Sequence, residues 1–190
     1  MKHVFHLFAT LFLLMTMVSC NSRKETGENP FFGEWDTPYG VPPFDKILPE
    51  ISGARIGLIT NQTGVNKELR STIDILHERK LLCCLFSPEH GVRGSAQAGA
   101  EVGCEVDCKT DLPIYSLYGK TTHIQKDLLD SLDIIAFDIQ DVGARFYTYI
   151  STLSYAMEDC AAANKKMLVF DRINPIGGYI EGTVLDRNFS

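Results

Sequence analysis

Glu89 and Asp141 are the side chains of this sequence best placed for acid–base work. Glu89 lies in Ser87-Pro88-Glu89-His90-Gly91 and Asp141 in Asp138-Ile139-Gln140-Asp141-Val142-Gly143, each just past an apolar run. Pro88 fixes the chain before Glu89 and Gly91 releases it afterwards, which sets a carboxylate at the rim of a buried strand, a setting suited to a general acid. Asp141, flanked by Gln140 and Arg145, is the second candidate. Two carboxylates across a cleft suit glycoside hydrolysis: one protonates the leaving oxygen and the other serves as base or nucleophile. Tyr147 and Tyr149 would give sugar rings a stacking platform, or else pack into the core at a helix entry.

Other chemistries find less support. Gly91, Gly94, Gly99 and Gly103 do not form G-x-G-x-x-G, and no phosphate-binding Gly-Lys-Ser/Thr pattern follows a strand, so no nucleotide cofactor is indicated. There is no G-x-S-x-G elbow, and Pro88 directly follows Ser87. No His pair has metal-ligand spacing with a carboxylate on the same helix face, so no metal is expected. Asn61-Gln62-Thr63 matches the N-glycosylation pattern and is read as a chance match. Eighteen Lys and Arg against 24 Asp and Glu give a net charge of −6, which removes the electrostatic footprint a nucleic-acid partner requires.

These residues need a scaffold, and the pattern from Ala54 onward supplies one. Apolar runs at 54–60, 81–86, 112–118, 133–138 and 167–171 alternate with helical patterns at 71–80, 122–132 and 148–164. Unbroken apolar strands separated by helices predict an α/β fold whose parallel sheet is covered by helices on both faces. In such sheets ligands bind beyond the carboxyl ends of the strands. Four of those ends read Thr60-Asn61-Gln62-Thr63-Gly64, Ser87-Pro88-Glu89-His90-Gly91, Asp138-Ile139-Gln140-Asp141-Val142-Gly143 and Asp171-Arg172-Ile173-Asn174-Pro175. Polar loops are common, but four converging on one sheet edge with amides, carboxylates, a His and an Arg predict a concave polar site.

With 190 residues, 45% of them hydrophobic and 22% charged, the chain suits one α/β domain. Residues 1–19 read as a signal peptide: Lys2, an apolar stretch from Leu7 to Val18 too short to span a membrane, then Ser19-Cys20. The small residue before Cys20 resembles a lipobox, although Met17 stands where Leu is usual, and predicts lipidation of Cys20 with export and membrane anchoring. Residues 20–43 read as a polar tether followed by a Pro-rich lead-in around Trp35, and the domain is expected over 44–190. The other five cysteines are odd in number and irregularly spaced. Cys83 and Cys84, inside an apolar run, are read as small core residues and Cys160 as structural, and Cys104 and Cys108 could pair across a loop.

Five ordered motifs resemble the NamZ exo-β-N-acetylmuramidase family: Gly57-Leu-Ile-Thr-Asn-Gln-Thr-Gly-Val65, Leu85-Phe-Ser-Pro-Glu-His-Gly-Val-Arg-Gly94, Leu112-Pro-Ile-Tyr-Ser-Leu-Tyr-Gly119, Phe137-Asp-Ile-Gln-Asp-Val-Gly-Ala-Arg-Phe-Tyr-Thr-Tyr-Ile-Ser-Thr152 and Asp171-Arg-Ile-Asn-Pro-Ile-Gly-Gly178. The resemblance implies a Rossmann-like domain whose cleft a second, smaller domain closes. It also implies release of N-acetylmuramic acid from the non-reducing end of peptidoglycan fragments, a muropeptide or disaccharide being the partner. It places the catalytic residue on Glu89 and makes His90, Arg93, Gln140, Asp141, Arg145, Asp171, Arg172 and Asn174 substrate-binding or supporting residues; Asn61 and Gln62 of the first strand-end loop and Tyr147 are candidate substrate-binding residues from the residue pattern itself. An Arg would hold the sugar's carboxylate bidentately. Arg93 or Arg145 is favoured over Arg172, which could instead pair locally with Asp171. Ile173 stands where the family usually has Pro. The chain reaches only Ser190, so the Rossmann-like sheet is expected to lack the family's C-terminal domain, and an inactive or sugar-binding relative is the alternative reading.

Overall fold

The computed structural model describes residues 44–94 and 105–189. The expected signal peptide, Cys20, the tether with its Trp35 lead-in, and Cys104 lie outside the described residues. Phe44–Ile51 forms helix α1, Ile56–Thr60 strand β1, Thr72–Glu78 helix α2 and Leu82–Ser87 strand β2. Then come the short strand β3 (Glu105–Val106), β4 (Pro113–Ser116), helix α3 (Lys126–Asp130), β5 (Ile134–Asp138), helix α4 (Tyr149–Ala162) and β6 (Lys166–Val169).

The sheet runs β3-β4-β2-β1-β5-β6. All neighbours pair in parallel except β3, which runs antiparallel to β4 at the edge. The five parallel strands form the parallel α/β sheet expected from the apolar runs, Rossmann-like as the family resemblance implied. Every residue of β1 and β5 is buried, because strands in the middle of such a sheet are covered on both sides. The pleat sends alternate side chains to opposite faces. Ile56, Leu58, Ile134 and Ala136 pack with Ile47 and Ile51 of α1 and Ile73 and Leu76 of α2. On the other face Ile59, Phe86, Ile135 and Phe137 pack with Leu129 of α3 and Tyr149, Ala156 and Cys160 of α4. Gly57 makes that second layer possible, since a Cβ there would sit 2.6 Å from the Phe86 ring and 2.8 Å from Leu132.

Three local expectations change. The helix expected over 122–132 is confined to Lys126–Asp130, because Asp159 of α4 accepts the Ile124 N–H at 2.7 Å and the His123 ring at 2.8 Å, holding that approach outside the helix. Cys83 is exposed rather than buried; its partner position Cys84 takes the core side of the strand. Cys108 is an exposed free thiol. Strand β6 lies at the other edge, with Val169 42% exposed, and Tyr179, Ile180 and Val184 beyond it are solvent-facing. Among the described residues no helix is long and apolar enough to cross a membrane.

Candidate functional site

The chain departs from β1 to β2 and β4 on one side, then returns to place β5 and β6 on the other. The topological switch point therefore falls between the carboxyl ends of β1 and β5, where α/β sheets bind ligands. Thr60 lies opposite Asp138 there, and its hydroxyl donates to the Asp138 carbonyl at 2.7 Å. The fully buried Asp138 carboxylate receives Arg172 bidentately, from Nε at 2.7 Å and Nη2 at 3.0 Å, and the Thr72 hydroxyl at 2.5 Å. Arg172 Nη2 also donates to the Val65 carbonyl at 3.0 Å. Arg172 thus binds the loop after β6 to those after β1 and β5. Its partner is Asp138 rather than the adjacent Asp171, which is exposed.

Asn61 lies on the same rim, 2% exposed. Its Oδ1 accepts from the Thr63 N–H at 2.9 Å and the Thr63 hydroxyl at 2.5 Å, while Thr63 Oγ1 in turn accepts the Gln140 N–H at 2.9 Å. That relay fixes which end of the amide is nitrogen. Nδ2 is left buried without a closed hydrogen bond, facing the Tyr149 hydroxyl. Burial raises the Tyr149 pKa, the Asn61 amide opposes the rise, and the charge of Glu89 adds to it.

Glu89 stands at the end of β2. His90 (φ 73°) and Gly91 (φ 82°) after it both take the left-handed conformation, which is costly for a residue with a Cβ and turns the chain sharply away from the strand. Glu89 Oε2 accepts the Thr148 hydroxyl at 3.0 Å, and the His90 ring nitrogen lies 3.9 Å from Oε1. A hydrogen bond from the Tyr118 hydroxyl to Glu89, reinforced by the carboxylate charge, raises the Tyr118 pKa. Glu89, His90, Phe146, Tyr147, Thr148 and Tyr149 line an open cavity of about 220 Å³. Tyr147 and Tyr149 approach with ring centroids 5.9 Å apart and planes at 53°. Tyr149 packs into the core, whereas Tyr147 and Phe146 face outward.

The remaining residues singled out by sequence divide by what their side chains already hold. Arg93 grips Asp107 with Nε at 2.6 Å and Nη2 at 2.8 Å and reaches Asp74 at 3.4 Å. Asp107 also accepts the Thr110 hydroxyl and N–H. This cluster pins the loop bearing Glu89 to the segment before β4, leaving Arg93 little capacity for a ligand. Arg145 is exposed and among the described residues makes only long contacts, 3.3 and 3.4 Å, to the Thr183 carbonyl. Asp141 is not among the residues lining the Glu89 cavity; its Oδ1 accepts the Gly143 N–H at 2.6 Å in a local turn. Gln140 Nε2 ties the Asp141 and Ile173 carbonyls together at 2.8 and 3.0 Å. Asn174 caps its own turn by accepting the Ile176 N–H and lies against Gly143, while Gln62 lies against Gly94.

Thr148, which donates to Glu89, and Tyr118, whose hydroxyl feels the Glu89 carboxylate, were not singled out by sequence. Both occur inside the family-like strings, so the signal was present, but only the fold shows that they meet the carboxylate. Asp107, the anchor of Arg93, carried no sequence signal. Among the described residues no group of three or more His, Cys, Asp or Glu side chains is placed to hold a metal ion.

The fold and rim define a Rossmann-like α/β domain with a carboxylate-bearing, aromatic-lined cavity beyond its strand ends. Residues 56–190 match the family described as exo-beta-N-acetylmuramidase NamZ, N-terminal, and the chain belongs to that family. It is 44% identical over 197 aligned positions to the peptidoglycan beta-N-acetylmuramidase NamZ of Bacillus subtilis (strain 168), covering 100% of this chain and 47% of that protein. The chain thus spans about half the length of this curated relative. Crystal structures of two DUF1343 family proteins from Bacteroides fragilis NCTC 9343 superpose with TM-scores of 0.66 and 0.65 at 46% and 35% identity. They cover 78% and 80% of this chain and 39% of each of theirs.

Proposed function

We propose that this protein is a glycosidase releasing N-acetylmuramic acid from the non-reducing end of peptidoglycan fragments, with Glu89 as the catalytic acid. The observation that supports this most is Glu89 itself: a carboxylate held at the strand end by the Thr148 hydroxyl, in a cavity with aromatic rings, in a chain 44% identical to a peptidoglycan beta-N-acetylmuramidase. In this reading Glu89 protonates the glycosidic oxygen as the bond to the anomeric carbon breaks. Tyr147 and Phe146 supply faces for a sugar ring. Of the three candidate arginines, Arg145 holds no carboxylate among the described residues and directly precedes Phe146 of the cavity wall, so it is assigned to the lactyl carboxylate, whereas Arg93 and Arg172 already hold carboxylates. The reading includes export and anchoring through a lipidated Cys20, which rest on the sequence of residues 1–20 alone.

The test is reporter release from a chromogenic N-acetylmuramic acid β-glycoside by the purified protein and by Glu89→Gln. Turnover that vanishes in the variant while its unfolding midpoint stays put is the expected result. An unchanged rate in Glu89→Gln removes this residue from the mechanism. No turnover from a folded wild-type chain leaves sugar binding without hydrolysis, which saturable NMR shifts on titration with N-acetylmuramic acid would then report.

A further inference from the structure

Helix α4 begins beside the cavity, and although α3 also starts without a side-chain cap, at Gln125, α4 does so with a residue of a type that normally supplies one. At α2 the N-cap Ser71 adopts extended backbone (φ −62°, ψ 137°), and its side chain accepts the Ile73 N–H, as capping residues normally do. At α4 the corresponding residue is Thr148, a type well suited to cap. Yet it sits in helical backbone (φ −87°, ψ −6°) and makes no side-chain cap hydrogen bond. Its hydroxyl points across to the loop after β2 and donates to Glu89 Oε2 at 3.0 Å. The Thr148 carbonyl still opens the helix by accepting from the Ser151 and Thr152 N–H groups, as the Ser71 carbonyl does from Ile75 at α2, so only the side chain has been redirected.

From this difference we infer that Thr148 is a positioning residue for Glu89: α4 forgoes its side-chain cap so that the hydroxyl can fix the orientation of the carboxylate in the cavity. Three features support the assignment independently. The hydroxyl has one described acceptor, and it is on the catalytic candidate. The two residues following Glu89 sit in left-handed backbone, so the loop is already constrained toward one presentation of this side chain. Thr148 and Glu89 line the same cavity, so the bond joins two walls of one site rather than bracing a distant surface. A hydroxyl donor also leaves the other carboxylate oxygen, Oε1, on the side of His90, which lies 3.9 Å away. A misplacement of about 1 Å in such a group can cost roughly a hundredfold in rate.

The inference rests on the glycosidase reading for its kinetic arm and stands apart from it for its second. Kinetics of wild type, Thr148→Val and Thr148→Ser on the chromogenic glycoside form the first arm. Valine keeps the shape without the hydroxyl, and serine keeps the hydroxyl. The expected result is a kcat lowered about ten- to a hundredfold in Thr148→Val with KM within about twofold, and recovery to within about threefold in Thr148→Ser. An unchanged kcat in Thr148→Val, or a loss confined to KM, overturns the inference. The second arm needs no turnover: urea unfolding of wild type, Thr148→Val, Glu89→Ala and the double variant. If the hydroxyl serves Glu89, Thr148→Val shifts the unfolding equilibrium about fivefold in wild type and has little effect once Glu89 is alanine. If it serves the helix, the shift is the same in both backgrounds, and the inference fails even where wild type proves inactive.

Discussion

Two arginines that look alike in the sequence do different work at the residue scale, and the difference is testable. Arg93 is committed to Asp107 and Asp74, whereas Arg145 among the described residues meets only a carbonyl at the edge of hydrogen-bonding distance. Arg145→Ala is expected to raise KM for the N-acetylmuramic acid glycoside about tenfold or more with unfolding unchanged. Arg93→Ala is expected to lower stability first, because it strands Asp107, whose side chain is only 2% exposed. Steady-state kinetics and urea unfolding of the two variants check the split. The Arg93–Asp107 pair sets a pH dependence. Hydrogen bonds from Arg93 and Thr110 hold the Asp107 carboxyl down to about 2 despite its burial. Its folded pKa lies below the unfolded value of about 3.9, so the stabilisation is complete above that value and is lost as pH falls toward 2. The shift corresponds to about 2–3 kcal/mol. Asp107→Asn should flatten that segment of the acid-unfolding curve, and a curve of unchanged slope between pH 4 and 2 would contradict the assignment.

At the scale of elements the critical joint is the one Arg172 makes between the strand ends. With side-chain exposures of 4% and 0%, Arg172 and Asp138 form a buried pair, and removing one partner leaves the other charged and unpaired. Arg172→Met is expected to cost about 3–5 kcal/mol, and adding Asp138→Asn should return part of that loss, because the uncompensated charge goes with it. Equilibrium unfolding of the single and double variants measures both effects; a double variant less stable than the single one by the full cost of a second lesion would show that the two residues act separately. The joint also marks where sequence reading stops. The parallel strands were legible because strands buried on both faces, such as Ile134–Asp138, must be apolar throughout, and that leaves a continuous run. The position of Glu89 just past a buried strand was legible from its place between Pro88 and Gly91. Arg172's true partner was not, since Asp171 is its neighbour in sequence while Asp138 is 34 positions away and meets it only through the pairing of β5 with β6. Strand β3 escaped notice because two residues carry no periodicity, and the shortening of α3 because its cause, Asp159, lies on another helix.

For the molecule as a whole, the cysteines give a direct reading of whether the sheet is closed on both faces. Cys83 and Cys84 are adjacent in β2, so the pleat must send them to opposite sides: Cys84 is 2% exposed among Phe86, Ile59 and Ile135, whereas Cys83 faces solvent. Cys160 is buried against the same layer from α4, and Cys108 is exposed. Burial pushes the Cys84 thiol up to about 12, with a smaller contribution from Cys83, and pushes Cys160 up to about 11, with a smaller contribution from Asp159. The thiolate is the nucleophile, so at pH 8 both buried thiols are roughly a thousandfold or more short of it as well as sterically shielded. Iodoacetamide at pH 8 is therefore expected to label Cys83 and Cys108 within minutes and to reach Cys84 and Cys160 only as fast as the domain opens. Peptide mapping over time distinguishes the four sites. Early labelling of Cys160 with Cys84 still protected would mean that α4 lifts from the sheet while the sheet persists. Because α4 carries Thr148 and Tyr149 into the cavity, that outcome would make the cavity wall beside Glu89 the first part of the molecule to open. Simultaneous labelling of both buried thiols would place the site and the core in one cooperative unit.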